Sequence, residues 1–181
     1  TYPVHRRVLI QPEIKHNISE IVDKGIVSED PSFYIQNASA TDSTLAPAGK
    51  STIYVLVPVP NLSADIDWTT EKAKYRDLVL RHIAERTEFK DIAEHIEVER
   101  IITPQDWADK IDVYRGAVFS IAHTLGQMLY LRPHNEFESL PGLFLVGGGT
   151  HPGSGLPTIL ESGRIAADLI SEVVEQELRA I

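Results

Sequence analysis

The stretch from Gly142 to Thr158, G-L-F-L-V-G-G-G-T-H-P-G-S-G-L-P-T, constrains this chain more than any other. Six of the nine residues from Gly147 to Gly155 are Gly or Pro, so neither a helix nor a strand continues through them. Before them, Leu143 to Val146 is a short apolar run that reads as a buried strand. After them, Pro157 sits at a first helical position, where its preset φ and missing N–H do no harm. Ile159, Gly163, Ala166, Ile170 and Val173 then recur at spacings of 4, 3, 4 and 3, one face of a helix. The unit is strand, glycine loop, helix. Glycines let backbone approach a ligand, and a helix start offers N–H groups and positive dipole to an anion. Two standard fingerprints fail, however. Gly148 and Gly153 have phosphate-loop spacing, but Ser154-Gly155 follow where Lys and Ser/Thr are needed. Gly147 and Gly149 begin G-x-G-x-x-G, but Pro152 takes the third glycine position. On local physics alone, a ligand-binding loop and a purely structural connection both remain open.

The 181 residues suffice for one domain or pieces of two, with a real core. A formal net charge of -9 with no basic stripe argues against nucleic acid as a partner. With no cysteine, disulfides, a thiolate nucleophile and a cysteine zinc site are excluded. Residues 1–20 lack the apolar core of a signal peptide, and no apolar run approaches the ~20 residues of a spanning helix. The chain opens on Thr1, which suggests a processed chain or a piece of a longer one.

Along the chain, strands are expected at His5–Gln11, ended by Pro12, at Ser32–Gln36 and at Ser51–Val59. A helix is expected over Glu13–Lys24, with Ile14, Ile18, Ile21 and Val22 on its apolar face and Gly25 as its stop. The loop Asn37–Lys50 is long enough to be functional, or is an ordinary hairpin connection. A helix capped by Thr69 or Thr70 should run to about Thr87, burying Tyr75, Leu78, Val79 and Ile83. A short helix over Phe89–Glu94, a strand over Glu97–Thr103 and a short helix from Pro104 anchored by Trp107 should follow. From Asp112 to Leu131 apolar residues recur at helical spacing, interrupted by Gly116 and Gly126.

No chemistry stands out by motif. The histidines lack H-E-x-x-H or an i, i+4 pair, so no metal site is expected. Gly153-Ser154-Gly155 is not the G-x-S-x-G nucleophile elbow. No catalytic residue can be named, and chemistry, if present, belongs to a cofactor.

Three stretches nevertheless share one likeness. Gly147-Gly-Gly-Thr-His-Pro-Gly-Ser-Gly-Leu-Pro-Thr158 with Glu161-Ser-Gly-Arg-Ile-Ala-Ala167 resembles the C-terminal flavin motif of the bacterial and fungal phytoene desaturases. Asp30-Pro-Ser-Phe-Tyr34, Thr41-Asp42, Leu45-Ala-Pro47 and Tyr54-Val-Leu-Val-Pro-Val-Pro60 resemble the middle of the same family, as does His123 through Gln127 to Arg132-Pro-His-Asn135. The likeness covers nearly the whole chain in the family's order and is weakest over Thr1–Lys24.

The resemblance implies an α/β (mixed α+β) fold, the C-terminal fragment of a two-domain, amine-oxidase-like flavoprotein. Residues 1–135 would belong to a mixed-sheet substrate domain, and 136–181 would supply the closing strand–loop–helix of a Rossmann-like FAD domain. The G-x-G-x-x-G unit would lie on the remainder of the same polypeptide, which explains its absence. FAD would be met by Gly147, Gly148, Gly149 and Thr150, and by Gly155, Leu156, Pro157 and Thr158 at the helix start. Amine oxidases commonly carry an acidic residue after the first of these glycines; here it is Gly148. His123, Gln127 and Arg132 are the substrate-proximal candidates. The implied reaction dehydrogenates a long apolar polyene such as phytoene, with hydride passing to FAD, in a cytoplasmic protein peripherally associated with membrane. A related carotenoid isomerase or oxidase, or a non-catalytic isoprenoid binder of the GDP-dissociation-inhibitor type, is the alternative. The 181-residue chain alone is expected to be inactive.

Overall fold

The computed structural model describes residues 7–10, 13–119, 121–122 and 124–179. His5, Gln11, Pro12 and His123 therefore lie outside the described residues. The chain forms two compact units, residues 1–116 and 117–181.

The first unit is built on three antiparallel strands in the order β1 (Arg7–Ile10), β2 (Phe33–Asn37), β3 (Ile53–Leu56). Ile35 of the central strand pairs with Val8 on one side and Val55 on the other. Alternation decides the faces: Phe33, Ile35 and Asn37 turn inward, as do the half-buried Ile53 and Val55. The inner face packs on α2 (Trp68–Arg86), whose Tyr75, Val79 and Ile83 join Phe33, Ile35, Phe89 and Ile92 in one core. The spacing of Tyr75, Val79 and Ile83 is one inward stripe of a helix. Asp67, not Thr69 or Thr70, caps α2: its carboxylate accepts from the Thr69 N–H at 2.9 Å, while Thr70 lies inside the first turn.

Helix α1 (Ile14–Ser19) continues through a wider π-type turn, Glu20–Lys24, and stops at Gly25, which takes the left-handed conformation at φ 64°. The stop is as expected, but the buried face is not. Ile14, Ile18 and Val22 are exposed, and Asn17 is buried instead, its Oδ1 accepting from the Ser32 N–H at 3.3 Å. Asn37–Lys50 is a hairpin connection of short turns. Asn37 and Asp42 cap them, and the Thr52 hydroxyl holds the Leu45 carbonyl at 2.6 Å.

Glu97–Thr103 is not a strand, and Val98 is 93% exposed. Among the described residues its β-branched side chains find no neighbouring ladder, and strand preference is mostly a preference for such neighbours. Helix α3 (Pro104–Ile111) starts at Pro104 as its sequence predicts; Trp107, its expected anchor, is half-buried. A capping box closes the start: Thr103 accepts from the Asp106 N–H, and the Asp106 carboxylate accepts from the Thr103 N–H. Lys110 foremost, at 2.6 Å, with Thr103 and then Lys72, holds the Asp106 carboxyl well below the usual carboxylate range. Its stabilisation is therefore complete above the unfolded pKa of about 4 and is lost only as pH falls through the lower folded value. Asp106→Ala should cost about 1 kcal/mol at neutral pH, and the gap to wild type should close in strong acid. Urea unfolding at both pH values, followed by the fluorescence of Trp68 and Trp107, measures this.

In the second unit, the helical apolar spacing of Asp112–Leu131 is not matched by a long helix among the described residues of 117–131. Among the described residues the chain makes three-residue turns at Leu125–Gln127 and Leu129–Leu131. Val118, Phe119, Leu125, Tyr130 and Leu131 are exposed, so among the described residues the apolar spacing has no surface to face. Without that packing a helix interrupted by glycine has little to hold it. The regular element here is α4 (Leu156–Arg179), beginning one residue before Pro157. Among the described residues no helix is long and apolar enough to cross a membrane.

Candidate functional site

The site is built from three segments of the second unit. The approach to the glycines is extended but is not the expected buried strand. It makes one isolated antiparallel bridge, Glu136 with Phe144, and Leu143 and Val146 are exposed. A sheet strand needs a ladder on its sides, and the described residues offer only this bridge. Asn135 supports it: the Asn135 carbonyl accepts from the Leu145 N–H at 2.7 Å, and the Asn135 amide donates to the Leu145 carbonyl at 3.0 Å.

The glycines then turn. Gly147, Gly153 and Gly155 have φ of 115°, 143° and 108°, a region closed to most side chains. Thr150 is buried, and its hydroxyl and N–H both donate to the Gly147 carbonyl, at 3.0 and 3.3 Å, closing the turn. Behind it stand three buried polar residues. Ser162 of α4 accepts from the Gly147 N–H at 2.9 Å and donates to Ile159 O at 2.7 Å. Asn135 also donates to Ser162 O at 3.3 Å. Arg132, only 2% exposed, donates from Nε to Thr150 O at 3.0 Å, from Nη1 to Gln127 O at 3.0 Å and from Nη2 to Gly148 O. Loop, α4 and residues 132–135 are thus one hydrogen-bonded block.

The expected cofactor residues fall on two levels. Gly147, Gly148 and Gly149 are half-buried, while Gly155, Leu156 and Pro157 are exposed at the head of α4. Thr158 is half-buried, its hydroxyl taken by the carbonyls of Ser154 and Gly155. Gln127 is exposed, its side-chain oxygen accepting from the Ala122 N–H at 3.0 Å. His123 lies outside the described residues, so of the substrate-proximal three only Arg132 joins the loop.

Sequence reading missed Asn135 and Ser162 as site residues. Ser162 was detectable in principle, because it lies three after Ile159 and four before Ala166, on the inward stripe of α4. Beyond Ala166 that stripe is open: Ile170, Val173 and Val174 are partly exposed and Leu178 more so.

The front of the loop has room for a ligand. A Cβ built on Gly147 meets nothing within 4 Å. Among the described residues the N–H groups of Gly148 and Gly149 donate to no atom. Close backbone with unused donors suits an electron-rich, anionic group. An open groove of about 690 Å³, lined by Tyr130, His134, Glu136, Phe137 and Leu169 among others, lies in the same unit but includes none of the glycines. The loop backbone, not that groove, defines the candidate site.

No family model matches the chain. Curated relatives do. It is 52% identical over 93% of its length to a 4,4'-diapophytoene desaturase (4,4'-diapolycopene-forming) of Methylomonas sp, covering 33% of that protein. It is 41% identical over 97% of its length to a neurosporene-forming phytoene desaturase of Rhodobacter capsulatus, covering 34%. It is 42% identical over 93% of its length to an all-trans-zeta-carotene desaturase of Myxococcus xanthus, covering 32%. The chain spans about a third of the length of the curated relatives it matches. Along nearly its whole length, the chain is thus homologous to a segment of the carotenoid desaturases, the likeness its three motifs carry.

Proposed function

We propose that this chain contributes the C-terminal part of an FAD-dependent carotenoid desaturase, which dehydrogenates a long apolar polyene such as phytoene. The open glycine loop carries this reading, with unused Gly148 and Gly149 N–H groups beside the head of a 24-residue helix. In this reading residues 136–181 complete the FAD domain of a two-domain flavoprotein, and residues 1–135 belong to its substrate domain. The antiparallel sheet of residues 7–56 suits a substrate-binding layer.

FAD, when bound, supplies the hydride acceptor. The chain's own residues do the rest. Gly147 brings backbone close to the cofactor, because a Cβ there meets nothing within 4 Å, and the unused N–H groups of Gly148 and Gly149 follow it. The head of α4, from Gly155 to Thr158, lends positive dipole to negative charge there. Ser162 and Asn135 keep the loop in place. The exposed Val118, Phe119, Leu125 and Leu131 suit contact with a polyene or with the membrane that holds it, in a peripherally attached cytoplasmic protein. The open stripe of α4 receives the remainder of the same polypeptide.

The full-length protein should show flavin absorbance and convert phytoene to more conjugated products. A colourless protein that binds isoprenoids tightly would instead favour a non-catalytic binder, and double-bond rearrangement without added conjugation would favour an isomerase. Gly147→Val places a β-branched side chain at φ 115°, which costs about 1–2 kcal/mol and blocks the loop's front. FAD binding, measured by flavin fluorescence, should weaken about tenfold or more.

A further inference from the structure

Arg132 carries a charge into the interior with no anion to meet it. It is 2% exposed, and all three of its hydrogen bonds go to backbone carbonyls, those of Gln127, Gly148 and Thr150. Among the described residues no carboxylate pairs with it. A buried charge left so is costly unless something uses it.

The Gly148 contact shows a use. The one cis peptide among the described residues is His151–Pro152, so the Gly148–Gly149 peptide is trans and planar. Its carbonyl is drawn to the guanidinium, so its N–H, that of Gly149, points the opposite way. A charged donor on the carbonyl also polarises the peptide and makes that N–H a stronger donor.

We propose that Arg132 is a positioning residue that acts through the Gly148–Gly149 peptide, presenting the Gly149 N–H to bound FAD and favouring the negative charge the flavin gains on reduction. The proposal rests on the FAD reading above. Arg132 itself need not touch the flavin.

The test uses the full-length flavoprotein and its Arg132→Lys and Arg132→Gln variants. Oxidised-FAD affinity is read by fluorescence and the two-electron midpoint potential by dye equilibration. Lys keeps the charge, whereas Gln keeps a donor without it. Arg132→Gln should weaken binding of reduced FAD about tenfold relative to oxidised FAD, lowering the potential by about 30 mV, and Arg132→Lys should restore most of that shift. A purely structural arginine would weaken both redox forms equally, leaving the potential unmoved in both variants, and that result overturns the proposal. If Arg132→Gln fails to fold, Arg132→Met, uncharged and of similar length, takes its place: a potential about 30 mV below wild type supports the proposal, and a potential equal to wild type overturns it. Wild-type protein devoid of flavin would overturn the FAD reading itself.

Discussion

Replacing Asn135 with aspartate is expected to loosen the glycine loop more than any other conservative change in the second unit. Asn135 is 4% exposed, and its amide nitrogen donates to Leu145 O at 3.0 Å and Ser162 O at 3.3 Å. Both acceptors are carbonyls, so only the nitrogen can face them, which settles the orientation of the amide. Aspartate would aim a carboxylate oxygen at two carbonyl oxygens. Asn135→Leu, of similar volume, removes only the donor: the Ser162 carbonyl keeps its helical partner, while the Leu145 carbonyl loses this one, at about 1–3 kcal/mol. Asn135→Asp should exceed the leucine variant at neutral pH. Hydrogen exchange at the Gly147 amide, which Ser162 protects, is a direct measurement. In the proposed flavoprotein, FAD content should fall in parallel. Unchanged protection in the aspartate variant would mean that Asn135 does not hold the loop.

The second large effect is expected at Gly116. It closes the first unit at φ 63°, its N–H donating to Val113 O at 2.8 Å. A Cβ there would lie 2.1 Å from the carbonyl oxygen of Pro104, the first residue of α3. That neighbour is backbone, so no rotamer relieves the clash. Positive φ costs alanine about 1–2 kcal/mol. Forcing the α3 start aside adds about 1–3 kcal/mol. Gly116→Ala should therefore destabilise the first unit by about 2–5 kcal/mol in urea unfolding. Gly126→Ala is the matched control. Gly126 lacks positive φ, and a Cβ there meets nothing within 4 Å, so the change should stay within about 0.5 kcal/mol. Equal effects at the two glycines would contradict the close approach of Pro104.

The residues whose structure was readable in advance carry local signals. Gly25 ends a helix because its conformation is local, and Pro104 and Pro157 mark helix starts because their φ is preset. Tyr75, Val79 and Ile83 were legible because one period and one buried face coincide. The misread segments depend on neighbours. Val98, Ile101 and Ile102 have strand-like composition but, among the described residues, no ladder beside them. Val113 to Leu131 has helical spacing but, among the described residues, no surface to bury it, and Gly116 turns it at its start. Ile14, Ile18 and Val22 have a proper apolar stripe, yet Asn17 is what that helix buries.

For the candidate site the division is equally clear. Sequence by itself determined that Gly147 to Gly155 must break regular structure, that a helix must follow, and that these residues stand in the order of the carotenoid desaturases. Those facts follow from single-residue φ preferences, a 3.6-residue period and homology. Tertiary structure alone decided which polar groups hold the loop: Arg132 to Gly148 and Thr150, Asn135 to Leu145 and Ser162, and Ser162 to Gly147. These bonds join residues 10 to 27 positions apart. A hydrogen bond depends on ångström-scale distance and on direction, and no composition or periodicity carries either across such separations.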